Sequence, residues 1–261
     1  MAEVIKPSVE TWNNFWSEAD IIDREPNLFL INTIKEVLGE SLVGKMILEV
    51  GSGASSEATE LAKQGAKVSV LDFSPHAIDI LRRSAKGKGV SLFSVRADAE
   101  RIPFSDNTFD LVYSQGLIEH FLPPDELMKE QVRIVKPGGF ILVDVPQLFS
   151  SQAIVKKVLM TLNKWPCGWE RNYAEEQLRA LFEHFGLKPV TAYAWGYLPP
   201  ISLEPDIRKQ LKSLVYGFLN KKGAADALSQ DNNNLMPKFQ KTWLARHLLN
   251  CIGIVAQKPL N

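Results

Sequence analysis

The sequence predicts an α/β fold, a doubly wound sheet with helical insertions at one end. Three observations lead there. Short apolar runs alternate with helical stretches of about 10–13 residues. The runs are almost continuously apolar, as parallel strands covered on both faces require. The first run ends in Glu49-Val50-Gly51-Ser52-Gly53, where glycines permit a tight turn and close backbone approach to a ligand ahead of a helix N-terminus.

Taken in order, residues 27–38 place Leu28, Ile31, Ile34, Val37 and Leu38 on one helical face, and Gly39 ends that helix. MILEV (46–50) is the first strand, ASSEATELAKQG (54–65) a helix and KVSVLDF (67–73) the second strand. Ser74-Pro75 reads as an N-cap with proline in the first turn, opening HAIDILRRSA. Strands follow at 91–98 and 109–115, then a helix at 124–135 stopped by Lys136-Pro137-Gly138-Gly139. A strand at 140–146, a helix at 174–186 and strands at 187–195 and 248–258 complete the series. Residues 147–173 and 196–247 break the alternation. If the strands before them are parallel to the rest, both leave from the sheet's carboxyl end, where ligands bind in such folds, and they are expected to form lids. The division expected is an N-terminal helical segment (1–40), a core (41–146), a lid (147–173), a core helix and strand (174–195), a second lid (196–247) and a last core strand (248–261).

The 261 residues are 45% hydrophobic and 23% charged, which excludes a disordered or collagen-like chain. No apolar run reaches the roughly 18 residues of a membrane span, and the first residues lack the pattern of a signal peptide. Cys167 and Cys251 make no disulfide framework or ligand cluster, so free thiols in a reducing cytoplasm are expected. No metal-ligand spacing is visible. The 30 basic and 30 acidic side chains cancel, so nucleic acid is not expected as a partner. The zero conceals a pattern: net −5 over 1–40, +3 over 147–173 and +5 over 206–247. The two basic segments are the two expected lids. Residues 152–163 place Ile154, Val155, Val158, Leu159 and Leu162 on one face, and 207–222 align six apolar residues opposite lysines. Such helices pack as ordinary lids or meet anionic partners, including a membrane surface in peripheral contact. They point to a small-molecule substrate, partly apolar or anionic.

Asp72 ends the second strand, 21 residues after Gly51, where a carboxylate can accept both ribose hydroxyls of NAD or of another adenosine cofactor. The turn departs from Gly-x-Gly-x-x-Gly at Ser56. The wider stretch resembles the class I S-adenosylmethionine-dependent methyltransferases, in the type 11 small-molecule group that includes ubiquinone-biosynthesis methyltransferases. The resemblance rests on five ordered segments: LEVGSGAS (48–55), VLDFS (70–74), ADAERIPFSDNTFDLVYS (97–114), QGLIEHF (115–121) and KPGGFILVDVP (136–146). Ser55 stands where the family has a third glycine.

The resemblance implies a Rossmann-like seven-stranded sheet, mostly parallel with the last strand antiparallel, and S-adenosyl-L-methionine as cofactor. By it, Gly51 and Gly53 pack against the methionine portion, Glu49 holds its ammonium, and Asp72 binds the ribose. Phe73 flanks the adenine, Asp98 accepts its amino group, Ala99 offers a backbone N–H, and Gln115 lines the methionine end. Arg24 is a further cofactor candidate, through a carboxylate-matching guanidinium. His120 is the candidate base, because histidine titrates near neutrality. The reaction implied is one-step methyl transfer to an O, N or C nucleophile. Two rivals remain at this level, a non-catalytic S-adenosylmethionine-binding partner protein and an NAD-dependent oxidoreductase.

Overall fold

The computed structural model describes residues 5–17, 25–162, 165, 167–196 and 240–260. Arg24 and the amphipathic stretch 207–222 lie outside these residues. The elements run α1 (Val9–Ser17), α2 (Leu28–Leu38), β1 (Met46–Val50), α3 (Glu57–Lys63), β2 (Lys67–Asp72), α4 (Pro75–Gly87), β3 (Phe93–Arg96) and β4 (Phe109–Gln115). After a short 3-10 turn (Ile118–His120) come α5 (Asp125–Ile134), β5 (Val135–Pro146), α6 (Ser151–Thr161), α7 (Glu175–His184), β6 (Lys188–Trp195), α8 (Trp243–Leu248) and β7 (Cys251–Gln257).

The seven strands form one sheet in the order β3-β2-β1-β4-β5-β7-β6. β1 pairs parallel with β2 and β4, and β5 continues parallel beside β4. β7 inserts antiparallel between β5 and β6, so six strands share one direction and the last opposes them. The strand order reverses between β1 and β4, and the crevice at that switch point is where such sheets bind ligands.

Alternation along the strands explains the continuous apolar runs. Ile47, Leu111, Tyr113 and Leu142 face a cluster with Leu30, Ile31 and Ile34 of α2 and Leu61 of α3. Leu48, Val112, Ile141 and Val143 face the other side, against Leu127, Met128, Leu178 and Phe182 of α5 and α7. Both faces are therefore dry, and neither can afford a polar register.

The Ser74-Pro75 signal acts as read, and α2 carries a side-chain cap as well. Asn27 Oδ1 accepts the Leu30 N–H at 3.2 Å to cap α2, and Ser74 Oγ accepts the Ala77 N–H at 3.3 Å to cap α4 behind Pro75. One signal is used differently. Lys136-Pro137-Gly138-Gly139 does not separate helix from strand, because β5 begins at Val135 directly after α5. Gly138 has φ +77°, and the register jumps from Phe109↔Val135 to Leu111↔Phe140. A Cβ on Gly139 would stand 2.9 Å from the Asp110 carbonyl oxygen, so the irregularity needs glycine there.

A second difference concerns α6 in the first insertion. Its apolar residues Ile154, Val158 and Leu162 are exposed, whereas Lys156 is buried. Val155 and Leu159 are half-buried, so the helix is rotated away from the sense its apolar pattern suggests, for a reason found in the site.

Candidate active site

A single cavity of about 580 Å³ opens above the carboxyl ends of the parallel strands. Its first half is built on β1, β2 and β3. Gly51 and Gly53 take φ +68° and +52° in the turn after β1. The Gly53 N–H donates to Asp72 Oδ2 at 2.8 Å, and the Ser74 N–H donates to Asp72 Oδ1 at 2.8 Å. Burial raises the Asp72 pKa, opposed by these backbone N–H groups and that of Phe73. Phe73, Asp98 and Ala99 line the same wall. Asp98 Oδ1 accepts the Glu100 N–H at 2.9 Å.

Glu49 is almost fully buried and accepts a 2.8 Å hydrogen bond from the Tyr113 hydroxyl. Burial and the nearby Glu57 charge push its pKa up to about 8, against hydrogen bonds from Ser55, Tyr113 and Gln115. Ser55, the residue in place of a third glycine, also accepts the Ala58 N–H at 3.1 Å, near the start of α3. The substitution therefore adds a helix-capping contact.

The second half rests on β4, β5 and β6. Gln115 and Gly116 lead from β4 into Glu119 and His120, both buried cavity residues. His120 Nδ1 lies 3.0 Å from the Trp169 carbonyl oxygen. A carbonyl only accepts, so in the neutral ring the proton sits on Nδ1 and the lone pair on Nε2. Burial lowers the His120 pKa, opposed by Glu170 and by the Trp169 carbonyl. Glu170 Oε2 is 3.5 Å from His120 Nε2, and Glu170 Oε1 is 2.6 Å from the Lys156 ammonium. This buried pair explains the orientation of α6: a buried carboxylate beside the imidazole requires a cation, and Lys156 provides it.

The fold thus creates a grouping that sequence spacing did not reveal. Glu119, His120 and Glu170 bring ligand-type atoms within 4.8 Å of one another. Lys156 already neutralises part of that cluster, which weighs against a metal there. At the end of β5, Asp144 Oδ2 accepts from Tyr193 Oη at 3.1 Å and from Trp195 Nε1 at 2.5 Å. Burial lifts Asp144 to about 7, opposed by those two donors.

The N-terminal helix α1 roofs both halves. A Cβ on Gly53 would meet Trp16 at 2.4 Å, and Trp12 meets the His120 ring edge-on with centroids 5.1 Å apart. Asn13 Oδ1 accepts from Ser74 Oγ at 2.8 Å. Glu49, Gly51, Gly53, Asp72, Phe73, Asp98, Ala99, Gln115 and His120 all line the one cavity. The reading from sequence missed Trp12, Trp16, Glu119, Asp144, Lys156 and Glu170. Glu119 and Asp144 had a usable signal, since each follows or ends a parallel strand at its carboxyl end. Lys156 and Glu170 had none.

Residues 48–143 match a family model described as a methyltransferase domain. Curated relatives include a sterol 4-C-methyltransferase of Caenorhabditis elegans, 28% identical over 148 residues, which are 55% of this chain and 44% of that protein. The chain thus spans less than half the length of that relative. A ubiquinone biosynthesis O-methyltransferase of Rhizobium leguminosarum bv. trifolii is 27% identical over 188 residues, 70% of this chain and 74% of that one. A solved S-adenosylmethionine-dependent methyltransferase of Thermotoga maritima superposes with a TM-score of 0.61 at 17% identity, covering 96% of this chain and 100% of that one, and shows the shared fold. The cavity's donor set fits the cofactor of that family: carboxylates after β1, β2 and β3 suit an ammonium, a ribose diol and an exocyclic amine in turn. The matched domain, the sheet order and these relatives make residues 48–143 a methyltransferase domain of the class I S-adenosylmethionine-dependent kind.

Proposed function

We propose that this protein transfers a methyl group from S-adenosylmethionine to a small molecule bound over the ends of β4, β5 and β6. The observation that carries this reading is the continuity of the cavity. One space joins the glycine turn and its three carboxylates to the pocket of Glu119, His120 and Asp144. When bound, S-adenosylmethionine supplies a methyl group activated by a positively charged sulfur.

In this reading Glu49 holds the cofactor ammonium, with Gln115 beside it. Asp72 accepts from the ribose hydroxyls, and Phe73 flanks the adenine. Asp98 and the Ala99 N–H meet the adenine edge. The Gly51 and Gly53 backbones make the close approach. The enzyme's main task is alignment of acceptor and methyl group. Trp12 and Trp16 exclude water from above. His120 accepts the acceptor's proton at Nε2, with its tautomer fixed by the Trp169 carbonyl and its imidazolium stabilised by Glu170. The described part of the insertion 147–173, with α6, acts as a lid, and residues 197–239 of the second insertion lie outside the described residues. Cys167 and Cys251, which form no disulfide with each other, suit a reducing cytoplasm.

The test is twofold. Calorimetry should show binding of S-adenosylhomocysteine and none of NAD(H), and Asp72→Ala should weaken that binding at least tenfold. Incubation with methyl-labelled S-adenosylmethionine and an acceptor panel should yield labelled product. Binding without turnover across a broad panel would favour a partner protein, and NAD(H) binding an oxidoreductase.

A further inference from the structure

Resting on the methyltransferase reading, we infer that the acceptor is a cationic amine whose ammonium is held by Glu119 and Asp144, rather than an anion. The argument starts from charge along the cavity. Its described lining carries seven acidic side chains and a single cationic one, Lys6. Lys6 forms an ion pair with Glu100, next to Asp98 on the cofactor wall, which neutralises it. The nearby buried ammonium, that of Lys156, is engaged with Glu170 at the Nε2 edge of His120. Glu49, Asp72 and Asp98 have partners in the cofactor. With Glu57 accepting the Asn27 N–H at 2.9 Å, Glu119 and Asp144 are left, both buried and both on the acceptor side.

Glu119 is the sharper of the two. It is 1% exposed, and its Oε2 has no hydrogen-bond partner among the described residues. A buried acceptor atom left unpaired is costly, and such atoms in functional cavities are met by ligand donors. Burial, then Glu170 and also Asp144, push the Glu119 pKa well above its ordinary value. A cation placed between these carboxylates reverses that disfavour, whereas an anion adds to it. Aromatic rings complete the arrangement. Trp195 lines the cavity beside Asp144, and Trp12 lines it beside His120. Ring faces together with carboxylates recognise an ammonium in a dry pocket.

The chemistry closes with the groups present. The bound ammonium gives one proton to His120 Nε2. The freed nitrogen lone pair forms the N–C bond to the methyl carbon as the C–S bond breaks, its electron pair passing to sulfur. The products are a methylated ammonium, a neutral thioether and an imidazolium facing Glu170, and total charge is conserved. A neutral hydroxyl acceptor would use His120 equally well but leaves the two carboxylates without a cation.

The experiment is calorimetric titration of the protein saturated with S-adenosylhomocysteine. The probes are matched triplets sharing one skeleton, such as 2-phenylethylamine, 2-phenylethanol and 3-phenylpropionate, extended over alkyl and diamine series. At least one amine should bind tenfold or more tighter than its alcohol, with the carboxylate weakest. Glu119→Gln should lower that amine's affinity at least tenfold while S-adenosylhomocysteine affinity stays within twofold, which also shows that the variant is folded. Asp144→Asn should weaken the same amine independently. Labelled transfer to the best amine should give an N-methyl product. If S-adenosylhomocysteine binds but alcohols or carboxylates bind as well as amines throughout, the amine inference is overturned and the methyltransferase reading stands. If S-adenosylhomocysteine does not bind, both fall.

Discussion

Raising the pH toward 8 should tighten the binding of S-adenosylhomocysteine, because Glu49 must ionise to receive its ammonium. In the ligand-free protein burial and Glu57 hold Glu49 at about 8. At pH 7 roughly nine molecules in ten carry the proton, and each pH unit below 8 costs about 1.4 kcal/mol to remove it. The dissociation constant should therefore fall about tenfold from pH 6 to pH 7 and level off above pH 8. Close to one proton should be released per ligand bound at pH 7. Calorimetry at pH 7 in two buffers of different ionisation enthalpy measures that release directly. Glu49→Gln keeps the shape and removes the titration, so its proton release should drop to what the ligand alone contributes. It should also bind more weakly at pH 8 by about 1.5–3 kcal/mol, the worth of a hydrogen bond to a charged group. Equal proton release by both proteins at pH 7 would refute the assignment of the ammonium to Glu49.

The same carboxyl affects stability. The folded state binds its proton up to about pH 8, the unfolded state only to about 4.5, so ligand-free stability should fall as pH rises through that window. The loss is on the order of 5 kcal/mol at most, and thermal melts of Glu49→Gln should show a flatter profile. Lys156→Met should cost about 3–5 kcal/mol in urea unfolding by leaving Glu170 buried and uncompensated. Combining it with Glu170→Gln should recover most of that loss and move the acidic limb of the rate profile governed by His120. Gly53→Ala should weaken S-adenosylhomocysteine binding at least tenfold, since its Cβ would stand 2.4 Å from Trp16 at a φ of +52°. Adding Trp16→Ala should restore part of the loss, because the clash is with that ring.

How much of this was legible in the sequence depended on whether the cause was local. The strands were legible because both sheet faces are covered, and continuous apolar runs follow directly. The glycine turn and Asp72 stood out from a strand end and short spacing, Glu49 and Asp98 only through the resemblance, and the structure brings all of them to one cavity. The sense of α6 was not. Periodicity places Ile154, Val158 and Leu162 inward, yet the structure exposes them and buries Lys156 against Glu170, fourteen residues further on. A long-range ion pair leaves no trace in helical spacing. Nor was the roof visible. Trp12 and Trp16 sit one helical turn apart, which suits ordinary packing equally well, and only the path of α1 across the cavity gives them a role. The extension of β5 back to Val135 was hidden because Pro137 and Gly138 read as a stop, while the strand tolerates them at an irregular register.

The path of α1 also bears on turnover. One short helix touches the glycine turn through Trp16 and His120 through Trp12, so the two halves share one door. The used cofactor and the methylated compound should then depart in the same opening event, and solvent viscosity should slow the steady-state rate more than the single-turnover rate. Loosening that door at Trp12 should speed departure and weaken retention of both molecules together.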